Sequence, residues 1–265
     1  MKPEIFGVST YFTFWGVAAV FGIWTGLRLA RRAGYPAGRS LAALGILAGA
    51  LILGSKLLYL AEYVAFPADD PLPLGQDSLL AAFRHGFRLP GGMILLALLM
   101  PIVCRALRLP TWRFADTIIP CVGIAIMFIR IGCFFNGCCF GALTDGPLGV
   151  RFPPGSRAYE FQLLHQHIGW TAERALPMHP LQLYFAALGL LLYFCGRRWQ
   201  QDTAFAGEVF TKCYLLFFGC TLLLEVVRPA LLHLNVIVVP VAAASALLVL
   251  VVGRQGLRAP ASATS

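Results

Sequence analysis

The densest chemistry in this sequence lies in one short run, Arg130-Ile-Gly-Cys-Phe-Phe-Asn136-Gly-Cys-Cys-Phe-Gly141. It puts a guanidinium, a carboxamide and three thiols (Cys133, Cys138 and Cys139) on a backbone that Gly132, Gly137 and Gly141 allow to turn sharply and pack closely. Arginine's planar fork suits a phosphate or carboxylate better than lysine does, and asparagine adds directional hydrogen bonds. A thiol beside a cation loses its proton more readily. The chemistry such a run offers is capture of a phosphate-like anion beside a polar or sulfur group. Three readings of the cysteines stay open: close packing as small apolar groups, a disulfide on an oxidising side of a membrane, or a nucleophilic or redox thiol. In the second reading, adjacent Cys138 and Cys139 make poor partners for each other. Structural zinc takes four ligands, and neither zinc-ligand spacing nor a Walker loop occurs, so no metal and no cofactor is expected.

The elements that must position these groups are membrane helices. Apolar residues make up 58% of the 265, charged residues 12%, and mean hydropathy is +0.75; soluble domains carry roughly 25% charged residues. Runs of about 20 apolar residues span a bilayer core of roughly 30 Å, and in lipid such runs must be helical. Seven are present: Ser9–Leu29, Leu41–Tyr63, Gly91–Cys104, Asp116–Phe134, Leu181–Cys195, Glu208–Val227 and Leu231–Val252. The first is long enough to stay as an anchor rather than be cleaved. A fourth helix starting at Asp116 carries Arg130 roughly 21 Å along its axis, some 10 Å below the far surface of a core about 30 Å thick. A charge at that depth needs an anion, a carboxylate partner or a watery cavity. Lys56 is similarly deep in the second run.

The net charge of +9 follows the same organisation. Arg28, Arg31, Arg32 and Arg39, then Arg105, Arg108 and Arg113, then Arg197 and Arg198, then Arg254 and Arg258 occupy every second junction. That is the positive-inside pattern; it puts the N-terminus outside and the C-terminus in the cytoplasm, and argues against a nucleic-acid partner. The expectation is an all-α, polytopic protein of a bacterial inner membrane. A single domain covers 1–252, with an outer loop 137–180 and a flexible tail 253–265. The loop should hold a short amphipathic helix at Tyr159–Ile168.

Three ordered blocks give a resemblance. Arg130, Gly132, Phe134, Asn136, Gly137 and Gly141 resemble the glycine-rich signature of the prolipoprotein diacylglyceryl transferase family. His179-Pro-Leu-Gln182-Leu-Tyr184 is similar to that family's His-Pro-x-Gln-Leu-Tyr element, and Glu225-Val-Val-Arg228 to its Val-Glu-Phe-x-Arg block. Tyr11 matches a family tyrosine on the first helix, and Asp116 an acidic residue opening the fourth. The resemblance implies transfer of a diacylglyceryl group from phosphatidylglycerol to a thiol, releasing glycerol 1-phosphate at the outer face. It implies an anionic phospholipid substrate and a protein or small-molecule acceptor. It puts Arg130, Asn136, Arg228 and Glu225 in catalysis, and Tyr11, Gly132, Gly137, Gly141, His179, Gln182 and Tyr184 around the substrate. The plainer roles are an ion pair for Arg130, snorkelling for Arg228 with Glu225 as its i,i+3 partner, and helix capping for His179. This chain departs from the family's pattern at Pro90 (a histidine there), Thr221 (an arginine), Phe217 (a tyrosine), Cys133 (an asparagine) and Cys138 (a glutamate). The alternative is a non-catalytic or thiol-redox lipid-binding protein on the same scaffold; a solute transporter would show inverted repeats or broken helices.

Overall fold

A computed structural model describes residues 4–5, 8–65, 89–228, 244 and 251. After a two-residue antiparallel ladder, β1 (Glu4–Ile5) with β2 (Val8–Ser9), the described chain is helical: α1 (Thr10–Arg32), α2 (Ala37–Ala65), α3 (Leu89–Ala106), α4 (Thr111–Asn136), α5 (Arg157–Leu164), α6 (Leu181–Trp199) and α7 (Glu208–Glu225). Six of the expected spans correspond to α1–α4, α6 and α7. The seventh, Leu231–Val252, lies outside the described residues apart from positions 244 and 251. Among the described residues three helices are long and apolar enough to cross a membrane: Thr10–Arg32, Ala37–Ala61 and Thr111–Asn136. Outward-facing Val20, Trp24, Leu53, Leu98, Phe194 and Leu223 are exposed, an apolar surface that lipid accepts and water penalises.

The chain divides into two compact units, Ala30–Phe114 and the remainder. In the smaller unit α2 packs on α3 through glycine. A Cβ on Gly54 would strike the Gly91 carbonyl, one on Gly91 the Gly54 carbonyl, and one on Gly92 the Leu51 carbonyl. Small residues let helices approach in lipid, where packing replaces the hydrophobic effect as the driving force. The paired glycines that follow Pro90 therefore serve this contact. Buried Lys56 holds its ammonium 5.4 Å from the Tyr59 ring.

In the larger unit the same device joins α4 to α6: a Cβ on Gly189 would sit 2.6 Å from the Gly123 carbonyl and 2.9 Å from the Met127 nitrogen. Leu181, Phe185, Leu188 and Leu192 of α6 form a core with Val209 and Cys213 of α7. Helix α4 begins five residues before the expected Asp116, so this aspartate sits inside the helix and not at its start. Its carboxylate reaches α7, accepting from the backbone N–H of Gly207 (2.6 Å) and Phe210 (2.8 Å). The N-cap of α7 is Gly207, which has no side chain to do this; the first N–H groups of a helix need such an acceptor. One turn on, Pro120 lacks the N–H that would bond the Asp116 carbonyl. Gln200 fills the gap, donating through Nε2 to the carbonyls of Asp116 (2.6 Å) and Thr117 (2.9 Å).

The loop between α4 and α6 has its own core of Phe152, Ala158, Tyr159, Ala175 and Met178. Its helix α5 spans Arg157–Leu164 and stops short of the expected Ile168. Ser156 caps it, accepting from the Tyr159 N–H. Fully buried Gln162 exchanges two hydrogen bonds with the Leu176 backbone, so the helix is fixed to the returning arm of the loop.

Candidate functional site

Helix α4 delivers Arg130 six residues before its C-terminus, about 9 Å from that end. Its guanidinium carbon lies 4.4 Å from the centre of the Phe185 ring. Arg228, just beyond α7, approaches the same ring at 5.9 Å. Residues 98 positions apart in sequence thus converge on one phenyl group, whose π face attracts cations. Among the described residues no carboxylate lies within ion-pair distance of Arg130, which is half-buried. Phe185 was absent from the expected site residues. Its signal was faint: it follows Tyr184 in the His-Pro block, and an apolar aromatic there reads as core.

The backbone after α4 turns at once. Gly137 has φ +67°, and a Cβ there would lie 2.6 Å from that of Ser156. Cys139 adopts the same left-handed region at φ +58°. The turn folds Cys138 and Cys139 back on Cys133, and the three sulfur atoms lie within 4.8 Å of one another. All three are free thiols: Cys133 buried, Cys138 half-buried and Cys139 exposed. The Cys133 and Cys138 thiols hydrogen-bond to Cys139 and, with the charges of Arg130 and Arg228, hold it well below the usual thiol range. Such a group is a thiolate more of the time than an ordinary cysteine and a readier nucleophile or ligand. Asn136 bonds the Cys138 side chain, and Tyr11 on α1 lies within electrostatic reach of all three sulfurs.

Two further blocks are tied to this turn. Fully buried Gln182 donates through Nε2 to the Cys138 carbonyl at 2.6 Å, while its Oε1 has no hydrogen-bond partner among the described residues. Gly141 and Ala142 are stitched to two segments. Gly141 N–H donates to the His179 carbonyl, His179 N–H to the Ala142 carbonyl, and Ala142 N–H to the Val227 carbonyl. A Cβ at Gly141 would lie 2.7 Å from both the His179 Cβ and the Val227 oxygen. That close approach sets Val227, and hence Arg228, beside the turn. His179 Nδ1 meets the Tyr184 hydroxyl at 3.1 Å. Gly132 packs on Phe14 of α1. An open apolar groove lined by Tyr184, Leu188, Leu191, Cys220, Leu223 and Leu224 runs between α6 and α7.

The structure therefore brings together Arg130, Arg228, Gln182, Asn136, Tyr11 and the three cysteines. Gly137 and Gly141 shape the turn, while Gly132 serves helix packing. Glu225 closes α7, and its side chain lies outside the described part. Arg84, His85 and Arg88, a cluster ahead of α3 that reads as a solvated surface group or as a stand-in for the missing histidine and arginine, also lie outside the described residues. Thr221, where the resemblance expects an arginine, donates its hydroxyl back to the Phe217 carbonyl at 2.7 Å.

A family model described as prolipoprotein diacylglyceryl transferase matches residues 3–256. A phosphatidylglycerol–prolipoprotein diacylglyceryl transferase of Clostridium tetani is 28% identical over 228 residues, covering 83% of this chain and 82% of that protein. A protein of the same name from Salmonella newport is 30% identical over 206 residues, covering 72% and 68%. One from Rhodopirellula baltica is 36% identical over 117 residues, which are 43% of this chain and 23% of that longer protein.

Proposed function

The chain belongs to the prolipoprotein diacylglyceryl transferase family, and from that premise we propose that it moves a diacylglyceryl-type group from phosphatidylglycerol, or a similar anionic phospholipid, to a nucleophile at the outer face of the bacterial inner membrane. The architecture that goes with this reading is a single membrane domain of seven spans, N-terminus outside and C-terminus in the cytoplasm. The observation that carries it is the pair of guanidiniums at Phe185, with Arg130 free of any carboxylate among the described residues. Two cations converging in a low-dielectric site suit a phosphodiester whose leaving oxygen gains charge.

The steps follow from that placement. The phosphate sits between Arg130 and Arg228, and an acyl chain lies along the apolar groove at Tyr184. The Oε1 of Gln182, without a partner among the described residues, accepts from a headgroup hydroxyl, with Asn136 and Tyr11 orienting the headgroup. The acceptor's nucleophile, a thiolate in the family reaction, attacks the glyceryl carbon that bears the phosphate. A carbon–sulfur bond forms, the carbon–oxygen bond breaks, and its electron pair leaves on the phosphate oxygen as glycerol phosphate.

The test is release of glycerol phosphate by purified protein in phosphatidylglycerol nanodiscs. Arg130→Lys keeps the charge and loses the fork, so the rate should fall by about 10²–10³, the cost of one preorganised donor. Undiminished release by that variant would overturn the reading. The convergence of three thiols favours a second reading, a thiol-redox lipid-binding protein. It predicts no glycerol phosphate release and a thiol count that rises on reduction.

A further inference from the structure

Cys133 comes from the last turn of α4, whereas Cys138 and Cys139 come from the turn that folds back on it. Phosphate binding by the arginines uses none of them. Close packing accounts for buried Cys133, but not for Cys139, which is exposed and held in a left-handed conformation that side chains rarely adopt. Backbone strain of this kind collects where a site has to be shaped. Three sulfurs bound to one metal at about 2.3 Å stand about 4 Å apart around a trigonal ion, and a little less around a tetrahedral one. The observed spacing, within 4.8 Å for every pair, is therefore close to a coordination triangle with one exposed and adjustable corner.

The surroundings choose among metals. Among the described residues no fourth histidine, cysteine or carboxylate joins the group, whereas structural zinc completes a tetrahedron. Soft sulfur ligands select soft ions such as copper(I), which accepts three thiolates in a plane. Three thiolates around a monovalent ion leave two negative charges, and the two cations acting on Cys139 are Arg130 and Arg228. Around the ligands, Gln182 fixes the Cys138 carbonyl and Asn136 bonds the Cys138 side chain, the kind of outer support that holds metal ligands in place. The geometry points to a three-coordinate thiolate site for a soft monovalent cation, copper(I), at the outer end of α4. Binding releases the remaining thiol protons to solvent and changes no oxidation state.

The test uses the full chain in detergent, reduced and anaerobic, with copper(I) titrated against a chromogenic copper(I) chelator. One copper per chain should be withheld from the chelator, and X-ray absorption should show three sulfurs at about 2.3 Å. Cys139→Ser changes an exposed position and keeps the fold, which size-exclusion chromatography checks; it should weaken retention at least about tenfold. Cys133→Ser and Cys138→Ser should weaken it further, while Cys121→Ser and Cys220→Ser should leave it unchanged. No copper withheld, an unchanged affinity in Cys139→Ser, or zinc(II) held more tightly than copper(I) would each overturn the proposal.

Discussion

Asp116→Ala offers the sharpest test of how the larger unit is held together. The carboxylate accepts from two backbone N–H groups of α7, at 2.6 and 2.8 Å, and is almost fully buried. Hydrogen bonds to a charged group contribute about 1.5–3 kcal/mol each. Water reaching a helix end recovers part of that, leaving a net loss of about 2–4 kcal/mol. The favourable field of a carboxylate at a helix N-terminus adds only about 0.3–1 kcal/mol, so the hydrogen bonds decide the outcome. At about 2–4 °C per kcal/mol for a chain of this size, the apparent melting temperature in detergent should fall by about 5–15 °C. Asp116→Asn keeps one acceptor but turns an N–H₂ toward the second donor, and should recover less than half of the loss. The assay is thermal unfolding followed by a thiol-reactive dye, with glycerol phosphate release measured at low temperature. An unchanged melting curve, or loss of release in a protein that stays folded, would refute the capping role and make Asp116 part of the chemistry.

Three further outcomes are expected. An impermeant maleimide should label exposed Cys139 faster than Cys104, Cys121 or Cys195, and Cys139→Ser should impair glycerol phosphate release more than serine at any of the five helix cysteines; equal, slow labelling of all eight would argue for packing alone. The chain should rescue a strain lacking its housekeeping transferase poorly or not at all, because Pro90 and Thr221 stand where the resemblance expects a histidine and an arginine, and Thr221 bonds its own helix; full rescue would show both positions to be dispensable. Gly189→Leu should abolish folded yield, since its Cβ would press on the Gly123 carbonyl and Met127 nitrogen of α4; a well-folded variant would mean that α4 and α6 can separate.

What the sequence made legible was whatever repeats locally or is unusual for its surroundings. Apolar run length found six helices, with ends shifted by a few residues, because hydropathy marks the lipid-facing middle and not the caps. Arg130 stood out because a charge at that depth is costly, and the cysteine spacing was visible as three thiols in one short run. Hidden from it was every contact made across the fold. Gln200 meeting the carbonyl freed by Pro120, Gln162 pairing with Leu176, and Phe185 lying beside two arginines leave no periodic trace. Asp116 was misplaced for a related reason. An acidic residue near a helix start reads as that helix's own cap, whereas here it serves the helix beside it.

The stitching of Gly141 and Ala142 to His179 and Val227 closes the long loop at its base. Everything between Leu143 and Met178 is then a closed excursion whose two ends are already pinned together. Lengthening such an excursion adds little entropic cost, roughly 0.6 kcal/mol for each doubling. The exposed tip at Trp170 is the natural place for it. An epitope or a small reporter domain inserted after Gly169 would thus hang from a loop whose base is already fixed, leaving Arg228 in place. The tip of the loop serves as an attachment point hung from a base that its own hydrogen bonds already close.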